Sequence, residues 1–145
     1  MHPNVLTTDA QIGALLAGVR RIAVLGIKTE AQSDQPAFYV PQYLASAGFD
    51  VVPVPVYYPE ATTILGRPVV RTLAAIEGPV DLVNVFRRSQ DLRPHVADIL
   101  AKRPRAVWFQ QGIRDDAIAE ELAAAGIQVV QDACIMVMHR RLHRP

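Results

Sequence analysis

The sequence predicts an α/β fold: an open, doubly wound sheet of five parallel strands with helices on both faces. Two observations carry this. Five short apolar runs rich in β-branched residues recur along the chain, from Arg21 to Gly26, Val51 to Val56, Val80 to Phe86, Ala106 to Gln111 and Ile127 to Gln131. Most are continuous runs rather than alternations, which suits strands covered on both faces. Between them lie segments with helical spacing, and this alternation reads as strands joined by crossovers. Right-handed crossovers then give an open sheet, expected in the order 3-2-1-4-5 when the five runs are numbered along the chain.

Each element has its own signal. Thr8 with Gln11 makes a capping box, and Ile12, Leu15, Leu16 and Val19 form the apolar face behind it. Pro41 disturbs the helix before Gly48, which starts either near Val40 or near Pro36 with a kink. Pro53 and Pro55 either shorten the second strand or stand at its end. Glu60 to Gly78 is a long crossover, with one short helix expected around Arg71 to Ile76. Leu92 to Arg103 repeats the helical pattern with Val96, Ile99 and Leu100 until Pro104 stops it. Asp115 and Asp116 stand where a helix N-terminus favours negative charge, and Gly126 closes that helix. Cys134 to Leu142 is the candidate final helix.

Composition narrows the function. Of 145 residues half are hydrophobic and a fifth charged, and fifteen Lys and Arg oppose fourteen Asp and Glu for a net charge of +1. This predicts one domain over residues 1–145 and excludes disorder. Cys134 is the only cysteine, so there is no disulfide framework. No apolar run reaches the length of a membrane span, and no secretory leader is visible, which makes the cytoplasm the expected compartment. A near-neutral balance argues against non-specific nucleic-acid binding.

In a doubly wound sheet ligands bind beyond the carboxyl ends of the strands. The segment after Gly26, from Ile27 to Pro36, is long for a connection of a type that usually runs about 2–6 residues. It carries Lys28, hydroxyls and a helix start, the ingredients of an anion site, although a solvated loop capped by Ser33 or Asp34 has the same composition. It is not a dinucleotide fingerprint, since positions 28 and 31 are Lys and Ala. The second strand ends Pro53-Val54-Pro55-Val56-Tyr57, without the carboxylate that would hold a ribose diol but with apolar surface for a purine. Arg87 and Arg88 follow the third strand, where charge pairing with phosphate competes with a solvated turn.

Five motifs in order resemble one family. They are Gly26-Ile27, Pro53-Val54-Pro55, Asp81 to Arg88 (DLVNVFRR), Val107 to Gly112 (VWFQQG) and Ala125 to Cys134 (AGIQVVQDAC). From about Thr8 to Cys134 the chain is similar to the small single-domain coenzyme A-binding proteins, Rossmann-like and related in fold to the CoA-binding domain of the succinyl-CoA synthetase alpha subunit. The resemblance implies binding of CoA, or an acyl-CoA, as a small-molecule ligand without catalysis by this chain. It implies Gly26, Ile27, Lys28 and Thr29 near the pyrophosphate, with Ser33, Asp34, Gln35 and Pro36 forming the helix start beside it. Pro53, Val54 and Pro55 would flank the adenosine. Phe86, Arg87 and Arg88 would line the other side of the switch point, and Gln110 and Gly112 the exit of the pantetheine arm. Two departures stand out: Ala133 replaces the family's usual Arg, and Ile135 to Met138 lacks an acidic residue often found there.

The alternative is an NAD(P)- or nucleotide-binding enzyme, or a subunit of a CoA ligase complex; the absent fingerprint and carboxylate speak against the first. No protein partner is identifiable from the sequence. His139 and His143 have helical i,i+4 spacing but no third ligand nearby, so a metal site is not expected. Cys134 reads as packing, with a mixed disulfide to the CoA thiol as its functional alternative. The basic tail from His139 to Arg144 reads as solvated, and Trp108 and Phe109 read as core.

Overall fold

A computed structural model describes residues 1–143, which leaves Arg144 of the basic tail outside the described residues. Its helices are α1 (Asp9–Ala17), α2 (Pro36–Ser46), α3 (Val96–Lys102), α4 (Asp116–Ala124) and α5 (Ile135–Leu142). Its strands are β1 (Arg21–Leu25), β2 (Asp50–Val54), a small hairpin of β3 (Thr63–Ile64) and β4 (Arg67–Pro68), then β5 (Leu82–Val85), β6 (Ala106–Phe109) and β7 (Gln128–Val130). The five main strands are all parallel, in the order β2-β1-β5-β6-β7. Among the described residues no helix is long and apolar enough to cross a membrane.

The doubly wound class holds, but the expected order 3-2-1-4-5 does not. The third long strand, β5, lies beside β1 and not outside β2, which gives 2-1-3-4-5 for the five runs. Proline supplies the reason. The Pro53 carbonyl accepts from the Val70 amide on the outer side of β2 (3.0 Å), so the Pro53 nitrogen faces outward too, where a ladder needs a donor. That edge cannot accept a full strand, whereas both edges of β1 keep their amides. Residues after the hairpin cover the β2 edge, and at the far side Leu6 donates to the Val129 carbonyl (2.8 Å) and blunts β7.

Apolar side chains fill both faces. Ile22, Val24, Leu82, Ala106 and Trp108 meet α1, α2 and α5. Ala23, Leu25, Val83, Val85, Val107 and Phe109 meet α3, α4 and the crossover. The Thr8–Gln11 capping box is present, and Asp115 caps α4 through the Ile118 amide (3.0 Å). Helix α2 begins at Pro36 and runs through Pro41, which resolves the sequence alternatives. The short helix expected around Arg71 to Ile76 is a set of turns: Asp98 of α3 takes the Leu73 and Ala74 amides (2.7 and 3.0 Å), while Leu73 and Ile76 are buried. The β3–β4 hairpin is not legible in the sequence, because its strands are two residues each; its turn uses Leu65 and Gly66 at φ 54° and 71°.

Candidate functional site

Connections leave β1 and β5 toward opposite faces of the sheet, so a crevice opens between their carboxyl ends. Gly26 sets its floor. With φ +88° it turns the chain off β1, and a Cβ there would collide with the Phe86 carbonyl oxygen. Only glycine lets the loops after β1 and β5 come this close.

A cavity of about 760 Å³ lies over this crevice, within the usual size of a ligand site (~300–1,000 Å³). It brings together Lys28, Gln35, Pro36, Phe86, Arg87, Arg88, Gln110 and Gly112 of the residues singled out from the sequence. Among the described residues three cations and no carboxylate line it.

Each cation is held differently. Lys28 reaches the side-chain oxygen of Gln35 at the start of α2, and its own amide donates to the Ala37 carbonyl (3.1 Å). Pro36 has no N–H, and the Ala37 amide donates to no group among the described residues, so the first turn of α2 keeps an open donor beside an ammonium. Arg87 donates from Nε to His95 Nε2 (3.2 Å) and from Nη1 to the Tyr57 hydroxyl (3.3 Å), and stacks 5.4 Å from the Tyr57 ring centroid. Arg88 points outward, three-quarters exposed, to Asp91 (2.9 Å).

On the far wall Gln110 is buried, and its oxygen accepts the Ile135 amide at the start of α5 (2.9 Å). Trp108 donates to the Ala133 carbonyl (2.7 Å), so β6 fixes the turn that carries Cys134 into the cavity lining. The Gly112 amide donates to Asp132 (2.7 Å).

Other singled-out residues lie outside the lining. Ile27 and Val54 are core residues, and Pro53 and Pro55 are buried. Thr29 bonds Gln32 through amide and hydroxyl (3.1 and 2.8 Å), which folds the loop onto itself. Ser33 and Asp34 are exposed just before α2. A second cavity of about 420 Å³ opens beyond β2, lined by Val56, Tyr57, Tyr58, Pro59 and Arg71. Arg87 of the first cavity touches Tyr57 of the second, so the two adjoin.

Sequence reasoning misses Tyr39, Val40 and Ser89 in the lining, and misses His95 and Tyr57 beside Arg87. The apolar spacing places His95 inside the Leu92–Arg103 helix; it precedes α3 in a 3₁₀ turn instead. Burial lowers its pKa most, Arg87 lowers it further, and Asp98 and Asp91 oppose this. His139 is buried under α2, bonded to the Tyr43 hydroxyl (2.6 Å) and stacked on His143; burial first, then His143, lowers its pKa.

A family model described as "CoA binding domain" matches residues 20–140. The chain belongs to the CoA-binding domain family. It is 35% identical to the uncharacterized protein YneT of Bacillus subtilis over 132 residues, 91% of this chain and 94% of that one. It superposes on a solved Thermus thermophilus protein, cell-free ID.343, with a TM-score of 0.85 and 39% identity, over 94% of this chain and 99% of that one. Three-quarters of the chain also matches a quarter of a dinucleotide-forming acetyl-coenzyme A synthetase from Ca. Korarchaeum cryptofilum, with a TM-score of 0.62 and 16% identity, a likeness of fold alone.

Proposed function

We propose that this chain is a single ligand-binding domain, over residues 1–145, that holds CoA or an acyl-CoA across the carboxyl ends of β1 and β5 and performs no chemistry of its own. The observation that carries this reading is the cavity lined by Lys28, Arg87 and Arg88 with no carboxylate among the described residues. Such a lining favours a polyanion, and the family supports CoA as that polyanion.

The pyrophosphate fits between Lys28, the Ala37 amide and Arg87. The pantetheine arm then runs past Gln110 and Gly112 toward Cys134. The adenosine takes the smaller cavity, where Tyr57 and Val56 supply apolar surface and the buried prolines at 53 and 55 stiffen the wall behind them. A nicotinamide cofactor is disfavoured, because β2 ends at Val54 and continues into Pro55-Val56-Tyr57 with no carboxylate for a ribose diol.

Calorimetry with CoA and with dephospho-CoA tests this. Micromolar binding corresponds to about −8 kcal/mol, within reach of charge-assisted contacts plus purine packing. Absence of both heat and thermal shift at millimolar CoA overturns the reading.

A further inference from the structure

At the mouth of the cavity one arginine is held by two neutral side chains drawn from distant parts of the chain. Arg87 spends Nε on His95 Nε2 and one Nη1 hydrogen on the Tyr57 hydroxyl, and no described residue bonds its Nη2. The guanidinium plane is therefore set by two fixed points, with one edge left over. The bond from Nε requires His95 to offer a lone pair at Nε2, which only the neutral imidazole with its proton on Nδ1 can do.

We propose that His95, in its neutral form, is a positioning residue: with the Tyr57 hydroxyl it orients Arg87 so that the free Nη2 edge meets a phosphate group in the cavity. This rests on the reading of the cavity as a CoA site and adds a pH dependence to it. The groups facing His95 are Arg87 on the loop after β5, Asp91 in the preceding turn and Asp98 on α3. A proton added at Nε2 removes the acceptor and puts a cation against the guanidinium, so Arg87 leaves its seat. Simple attraction would act the other way, since an imidazolium near the cavity adds positive charge for a polyanion. The sign of the pH effect therefore separates orientation from charge.

The test uses dephospho-CoA, whose pyrophosphate diester keeps its charge throughout, and runs from neutral pH down to about pH 4.5, below the ordinary histidine range because burial and Arg87 lower the His95 pKa. Wild type should bind about tenfold more weakly at the acid end, as expected for loss of one charge-assisted bond. His95→Gln, whose amide oxygen can accept from Nε without titrating, should bind within about twofold of wild type at neutral pH and change little on acidification. His95→Phe, with no acceptor, should bind weakly at both ends. A readout without ligand runs alongside: the Arg87 Nε–H resonance should be protected from exchange in wild type at neutral pH and in His95→Gln, and lost in acid and in His95→Phe. Profiles of wild type and His95→Gln that superimpose, or tighter wild-type binding in acid, overturn the proposal while leaving the CoA reading intact. A wild type that binds no dephospho-CoA sinks both.

Discussion

At the amino ends of β1 and β2 arginines meet carboxylates; at the carboxyl ends of β1 and β5 Arg88 alone of the three cavity cations does so, with Asp91, while Lys28 and Arg87 do not. At the amino end Asp50 meets Arg21 (3.4 Å) and Arg67 (2.6 Å), and Asp81 accepts the amides of Arg20 and Arg21 (3.0 and 2.9 Å). At the carboxyl end Lys28 and Arg87 contact an amide oxygen, an imidazole and a phenol, and no carboxylate lies within ion-pair distance of either among the described residues. Both ends belong to one sheet with one net charge. The difference teaches that the closed end around Asp50 neutralises its arginines, whereas Lys28 and Arg87 keep a charge that no carboxylate offsets among the described residues.

Substitutions at the two ends should separate cleanly, beginning with the largest effect. Gly26→Ala places a Cβ against the Phe86 carbonyl at a left-handed φ, and should destabilise by at least about 2 kcal/mol in chemical denaturation. A fully stable Gly26→Ala would mean the two loops can part, and the crevice is not held by their contact. Lys28→Ala and Arg87→Ala should each weaken CoA binding about tenfold at low salt, roughly 1.4 kcal/mol, with a smaller loss at high salt. Equal affinity in both variants at every salt concentration removes the phosphate assignments and leaves the fold untouched.

Between the ends stands Asn84, fully buried in β5 with neither side-chain polar atom bonded among the described residues. Asn84→Val should raise stability by about 1 kcal/mol, since an unpartnered buried amide carries a desolvation penalty. A melting temperature that falls instead would show that the amide has a partner worth keeping. Arg67→Ala, at the amino end, should cost at most about 0.5 kcal/mol, because both partners are nearly half exposed. Its CoA affinity should equal that of wild type; a loss would break the comparison, since it would tie the closed end to the open one.

Much of the fold is legible because local chemistry speaks for it. The strand runs, the Thr8–Gln11 capping box, the Asp115 cap and the stop at Pro104 all act within a few residues of themselves. Strand order escapes a linear reading although its cause, Pro53, is in view: which side of β2 the proline blunts depends on the face the strand turns to β1. The turns at 71–76 escape because Asp98, far along the chain, captures their amides. For the site, Lys28, Arg87 and Gln110 are legible from their places just after strands. Tyr57 and His95 are not, since each follows a different element and they meet only at Arg87.

The sequence by itself determined the alternation of strand and helix, the glycine that turns the chain off β1 and the family, because each is written in contiguous residues or in motifs kept in order. Tertiary structure decided which strand lies beside β1, which cations share a cavity and which side chains hold Arg87. Those outcomes join residues tens of positions apart, and chain proximity carries no information about such meetings until the sheet is assembled.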